Sequence, residues 1–118
     1  MIRLERVYGR QTLDDGARFL VDRLWPCGIT KETLHLTAWV KDAGPSEELS
    51  RRFGRDPAKW EEFRRRYFAE LDAKPAAWRP LLEAARRGDI ILLYRARDTK
   101  HNGALALKEY LEARLAAA

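Results

Sequence analysis

Ile90-Ile91-Leu92-Leu93-Tyr94 is the run that most narrows what this chain can become. Five apolar or aromatic residues follow one another without alternation, between Gly88-Asp89 and Arg95. A half-exposed strand alternates apolar with polar positions. One that does not must lie inside a sheet covered on both faces. The rest of the chain therefore has to supply flanking strands and covering helices.

Candidate strands lie near the N-terminus. Ile2 to Tyr8 sets Ile2, Leu4 and Val7 against Arg3, Glu5 and Arg6, the pattern of a short half-exposed strand. Asp14-Asp15-Gly16 signals a turn. Phe19 to Val21 then forms a second buried strand, stopped by Pro26 and Gly28. Helices are marked by their caps. Thr30 is placed to cap a short turn over Lys31-Glu32-Thr33, and Leu34 to Val40 shows no clear period. Ser46 precedes Glu47-Glu48, so a helix should begin there and run to Phe53, stopping at Gly54. Asp56-Pro57 restarts it, and Trp60, Phe63, Tyr67 and Leu71 recur at helical spacing. Pro75 should interrupt the chain and Pro80 open a further helix ending at Gly88. Asn102 is a candidate cap for a last helix with the stripe Ala104, Leu107, Leu111 and Leu115.

Strands separated by helices predict an α/β fold: a small, mainly parallel sheet flanked by helices. A chain of 118 residues without repeat, low-complexity tract or linker predicts a single compact domain over residues 1–118. No apolar run approaches the roughly 20 residues of a membrane span. Met1-Ile2-Arg3-Leu4-Glu5-Arg6 lacks the apolar core of a signal peptide. A single cysteine, Cys27, excludes an intramolecular disulfide, so the expected location is the reducing cytoplasm.

The net charge is +5, with 17 Arg among the 23 basic residues. Arginine suits bidentate contact with phosphate or carboxylate, so an anionic partner is one reading. Source composition is the other, because a chain rich in Ala, Arg and Glu with only Gln11 and Asn102 as amides fits a GC-rich or heat-adapted origin. Position has to separate them. Ligands on open α/β sheets bind beyond the carboxyl ends of the strands, and two polar exits would meet there if their strands are parallel neighbours.

The first exit carries Asp22, Arg23 and Trp25 within four positions. It reads either as one wall of a ligand site or as an ion pair clamping a loop, with Trp25 as core. The second carries Arg95, Arg97, Asp98, His101 and Asn102, before a helix whose N-terminus attracts anions. Here the plainer alternative is that Asp98 and Asn102 only cap that helix and that His101 is solvated. Asp22 with Asp98 is a conceivable carboxylate pair for acid–base work or a hard cation. His35 and His101 show no zinc-like spacing with Cys27, and nothing requires a metal. Cys27 beside Gly28 reads as a nucleophile or, more simply, as a small loop residue. Arginines from Arg51 to Arg66 suggest a nucleic-acid surface, but Glu47, Glu48, Glu61, Glu62 and Glu70 favour internal pairing.

Several motifs carry a family resemblance: Val21-Asp22-Arg23-Leu24-Trp25-Pro26-Cys27-Gly28-Ile29, Trp39 to Lys41, and Pro45-Ser46 through Leu49. Phe53, Trp60, Phe63, Tyr67, Glu70, Leu92-Leu93-Tyr94, Asp98 and Asn102 continue it over nearly the whole chain. On these residues the chain resembles the YeaO-like proteins, domain-of-unknown-function family 488. The resemblance implies a small α/β bacterial or archaeal protein without an established reaction. That family pattern has arginine where Cys27 stands, which argues against cysteine catalysis and passes any task of that arginine to Arg23 or Arg95.

The function expected from the sequence is a pocket for a small phosphorylated or nucleotide-like anion. Arg23 and Arg95 would grip it, Trp25 or Tyr94 would cover an apolar part, and Asp22 or Asp98 would orient the bases, with Asn102 also among the ligand-binding residues. The alternatives are nucleic-acid binding through the arginine-rich helices and a structural or protein-interaction module. Cofactor, reaction and oligomeric state are not readable from the residues.

Overall fold

A computed structural model describes residues 1–11 and 16–117. Four strands form one parallel sheet: β1 (Ile2–Arg6), β2 (Ala17–Leu20), β3 (Ala38–Trp39) and β4 (Ile90–Tyr94), in the order β1-β4-β2-β3. The last strand in sequence is thus central. Ile90 to Tyr94 pairs with Ile2 to Arg6 on one side, and Ile90 to Leu93 pairs with Ala17 to Leu20 on the other. Every residue of β4 is buried. Ile90, Leu92 and Tyr94 enter one apolar cluster and Ile91 and Leu93 another, which is the double covering its unbroken pattern demands.

The larger cluster lies under α2 (Glu47–Phe53), α3 (Trp60–Ala73), α4 (Pro75–Arg87) and α5 (Gly103–Ala116). Phe63, Tyr67 and Leu71 are the buried stripe of α3; Ala104, Leu107 and Leu111 are buried on α5, joined by Ala106 and Tyr110. The smaller cluster holds Val7, Leu20 and Leu34 from α1 (Lys31–Leu34), with Trp25, Ile29 and Leu36 packed against it.

The expected caps are present. Thr30, Ser46, Asp56 and Asn102 each accept from a backbone N–H of the following turn, and Gly54 ends α2 in the left-handed region. The helix expected to open at Pro80 instead opens at Pro75, with Pro80 inside α4. A helical proline costs about 3 kcal/mol. Trp78, Leu81 and Leu82 are all buried on that helix, and a fully buried large side chain contributes roughly 1.5–3 kcal/mol, so tertiary packing outweighs the break. Leu34 to Val40, where no period was visible, contains the end of α1 and the two-residue β3. Of the expected turn at Asp14-Asp15-Gly16, only Gly16 lies within the described residues. No helix among the described residues is long and apolar enough to cross a membrane.

One buried group was not legible beforehand. Arg18 on β2 is buried, donating from Nε to the Leu34 carbonyl (2.7 Å) and from its terminal nitrogens to Glu5 (3.0 Å) and Gln11 (2.7 Å). It ties β2 to α1 and to β1 on the smaller face.

Candidate functional site

Because β2 and β4 are parallel neighbours, their carboxyl ends open on the same edge, and Val21 extends the pairing by donating to the Leu93 carbonyl at 3.2 Å. The next side chain, Asp22, crosses to the other exit. Its Oδ2 accepts from the Arg95 backbone N–H at 2.8 Å and from Arg95 Nε at 3.3 Å. Two segments 73 positions apart are joined here by one carboxylate. Burial raises the Asp22 pKa above its ordinary value of 3.8 and outweighs the opposing effect of the Arg95 bonds.

Arg23 turns towards a different element. Its Nε donates to the Pro45 carbonyl and a terminal nitrogen to the Gly44 carbonyl, both at 2.9 Å, with Asp42 3.9 Å from the other terminal nitrogen. Tyr67 Oη donates to the carbonyl of Ala43, one residue earlier. Ser46, one residue later, donates its N–H and Oγ to Glu70 at 2.8 and 2.5 Å. Residues 43–46 are thus held at every residue by side chains from the β2 exit and α3. The segment also lies hard against the strand exit: a Cβ on Gly44 would stand 2.7 Å from the Val21 carbonyl oxygen, so only glycine fits. Burial pushes the Tyr67 hydroxyl pKa well up, with Glu70 and Asp22 adding to the rise, so Tyr67 stays a neutral donor.

Trp25 leaves this edge. Its indole donates to the Ile29 carbonyl at 2.7 Å across the turn in which Gly28 takes φ +78°, and it stands edge-on to Trp39 at 5.4 Å. Trp39 in turn donates to the Asp22 carbonyl at 2.7 Å. Cys27 is exposed, and its thiol has no hydrogen-bond partner among the described residues. Tyr94 is buried in the main cluster, where burial raises its pKa.

At the second exit, Asp98 folds the chain into the start of α5. Its Oδ1 accepts from the N–H groups of Lys100 (2.8 Å) and His101 (3.1 Å), and its Oδ2 lies 2.9 Å from His101 Nδ1. These bonds, the Lys100 N–H foremost, hold the Asp98 carboxyl below its ordinary pKa. Asn102, buried, caps α5 through the Leu105 N–H (2.8 Å) and donates to the Asp98 carbonyl (2.9 Å). Asp22 and Asp98 are therefore not one shared pair: each carboxylate has its own cationic or imidazole partner.

A groove of about 400 Å³ opens between the exits, α2 and α5. Asp22, Arg95, His101 and Asn102 line it, together with Arg51 and Arg55, which sequence reasoning did not single out for this place. Arg23 lines a smaller adjoining recess of about 160 Å³ with Asp22, Leu24 and Arg95. Trp25, Tyr94 and Asp98 line neither. Arg51 pairs with Glu47 at 3.3 Å, whereas, among the described residues, Arg55 has no partner and the Arg95 guanidinium bonds only through Nε. Arg55 also holds φ +60°, a conformation unusual outside glycine. Nothing in linear spacing sets Arg55 on the same groove as Arg95; the turn at Gly54 after α2 carries it there. Among the described residues, no cluster of three His, Cys, Asp or Glu side chains is placed to hold a metal ion.

A family model described as the inactive DUF488-N3 subclade matches residues 1–118. The chain belongs to this YeaO-like DUF488 family. It is 40% identical over 110 residues to the uncharacterised protein YeaO of Escherichia coli (strain K12), covering 93% of this chain and 96% of that one. An uncharacterised protein of Mycobacterium tuberculosis (strain H37Rv) is 35% identical over 113 residues, covering 96% and 95%. No solved structure matches significantly.

Proposed function

We propose that the groove at the carboxyl edge of the sheet binds a small phosphorylated or nucleotide-like anion. The observation that carries this reading is the gathering of Arg51, Arg55 and Arg95 around one space, where both terminal nitrogens of Arg55 and of Arg95 have no partner among the described residues. Arginine in that state presents paired donors matched to a phosphoryl group. The first turn of α5 adds the N–H groups of Gly103 and Ala104 at the same rim, and the helix dipole favours negative charge there. Val21, Leu24, Phe53 and Phe63 supply apolar floor for an uncharged part of the guest. Arg23, bonded to two carbonyls, supports the rim formed by Pro45 rather than gripping the guest.

The subclade's description as inactive, carried to this chain, favours binding without turnover. Nucleic-acid binding is less well supported by the helices, since Arg64 is paired with Glu61 and Glu109 and Arg66 with Glu62.

The test is a thermal-shift titration with inorganic phosphate, pyrophosphate and nucleoside monophosphates on the parent and on Arg95→Ala. Native-state binding at 100 times Kd stabilises by about 2.7 kcal/mol, a readily measured rise. Arg95→Ala leaves the Asp22–backbone bond intact, so the variant should fold and lose the rise. An equal rise in both proteins, or none with any of these anions, contradicts the proposal.

A further inference from the structure

Resting on the anion-groove reading, we infer that His101 is a ligand-contacting residue through which anion binding is coupled to uptake of one proton. Nδ1 faces Asp98 Oδ2 at 2.9 Å, and the other carboxylate oxygen is fixed by two backbone N–H groups. The indole of Trp60 stands edge-on to the imidazole, with 5.5 Å between ring centres and 83° between planes, so the ring is braced on a second side. Asp98 is held as an anion, and an ionised carboxylate only accepts. Nδ1 therefore carries hydrogen, and in the neutral ring Nε2 bears a lone pair. An ionised phosphoryl or sulfate oxygen only accepts, so it cannot bond to that lone pair. Protonation converts Nε2 into a donor and adds a positive charge to the wall of the groove that His101 lines.

The groove that His101 lines also carries Arg51, Arg55, Arg95, Asp22 and Glu47; its own loop carries Arg97, Asp98 and Lys100, and the segment packed on the ring through Trp60 carries Lys59 and Glu61. Imidazole is the side chain that ordinarily changes charge between about pH 5.5 and 8. Among these groups Asp22, raised by burial, is the other one whose titration has to be separated from that of His101. Reciprocity supplies a direct signature: if protonation strengthens anion binding, the anion must raise the pH at which His101 protonates.

Sulfate is the probe of choice, because it remains a dianion over this range whereas phosphate itself takes up a proton. Calorimetric titration of the whole chain with sulfate at pH 5.5, 6.5 and 8.0 should show affinity falling about tenfold or more as pH rises. In the same samples, the His101 ring-proton resonance should titrate at higher pH with sulfate than without it. His101→Gln should bind sulfate with no pH dependence at about the parent's pH 8 affinity. Asp98→Asn, which removes the charge facing Nδ1, should move the pH midpoint downwards.

Sulfate binding that is flat with pH in the parent, or a slope that persists in His101→Gln, overturns this inference and leaves the groove reading standing. Absence of sulfate binding at every pH overturns this inference, and the groove reading falls with it only if phosphate, pyrophosphate and nucleoside monophosphates also fail to bind. The ring-proton titration needs no variant, so a variant that fails to fold does not remove the test.

Discussion

The exits of β2 and β4 are made of similar residues and do different things. Asp22 and Arg23 turn inwards to other parts of the chain: the carboxylate to the Arg95 backbone, the guanidinium to the carbonyls of Gly44 and Pro45. Arg95 and Ala96 are held from outside, by Asp22 and by Arg6 donating to both their carbonyls, whereas Asp98 to Asn102 bonds within itself; the Arg97 guanidinium and the terminal nitrogens of Arg95 have no partner among the described residues. An acid and a base at a strand end thus do not identify a binding site. What matters is whether their polar atoms are already engaged by backbone, since a donor held at 2.9 Å by a carbonyl is not available to a guest.

Four substitutions and a pH series can break or sharpen that contrast. The largest effect is expected for Arg23→Ala. It removes two charge-assisted bonds, each contributing about 1.5–3 kcal/mol, so denaturant unfolding should show a loss of roughly 3 kcal/mol or more. A stability near the parent's would show that the β2 exit is not the clamp described. Gly44→Ala should follow at roughly 1–3 kcal/mol, because the atom it meets is the Val21 backbone oxygen, which has little room to move. Asn102→Ala should lose about 1–2 kcal/mol as a helix cap, measured in the same way. Arg97→Ala, exposed and unpartnered among the described residues, should lie within about 0.5 kcal/mol of the parent.

The pH series separates the two carboxylates by sign. Asp98 has a folded-state pKa below 3.8, so its contribution to stability is present above that pH and is lost as pH falls through the lowered value. Asp22 has a folded-state pKa above 3.8, so stability declines as pH rises from 3.8 through the raised value. Asp98→Asn should flatten the acid limb of the stability curve, and Asp22→Asn should flatten the decline above pH 3.8. Identical curves for the two variants would contradict the difference in burial.

Much of the architecture was legible because it rests on local chemistry. The unbroken Ile90–Tyr94 run required a central strand, and Ser46, Asp56 and Asn102 announced helix starts with side chains that bond only a few residues away. Pro80 was misleading because its local penalty is outweighed by the burial of Trp78, Leu81 and Leu82, which no local pattern reports. The site was legible only as two polar exits. Asp22, Arg95 and Asn102 meet at one groove because two strands pair in parallel, an arrangement the residue order hinted at. The places of Arg51 and Arg55 depend on how α2 docks, and Trp25 and Tyr94 went to opposite clusters of the core. Gly44, Tyr67 and Glu70 gave no signal as parts of one clamp, because each reads as an ordinary turn, core or surface residue until the fold brings them to residues 43–46.

The most direct measurement is a backbone amide NMR titration with sulfate at pH 5.5. The account predicts shifts concentrated at Arg95, His101, Gly103 and Ala104, with the Arg23–Gly44 clamp and the α3 arginines unmoved. Shifts confined to Arg52, Arg65 and Arg66, or spread evenly over the basic surface, would contradict it.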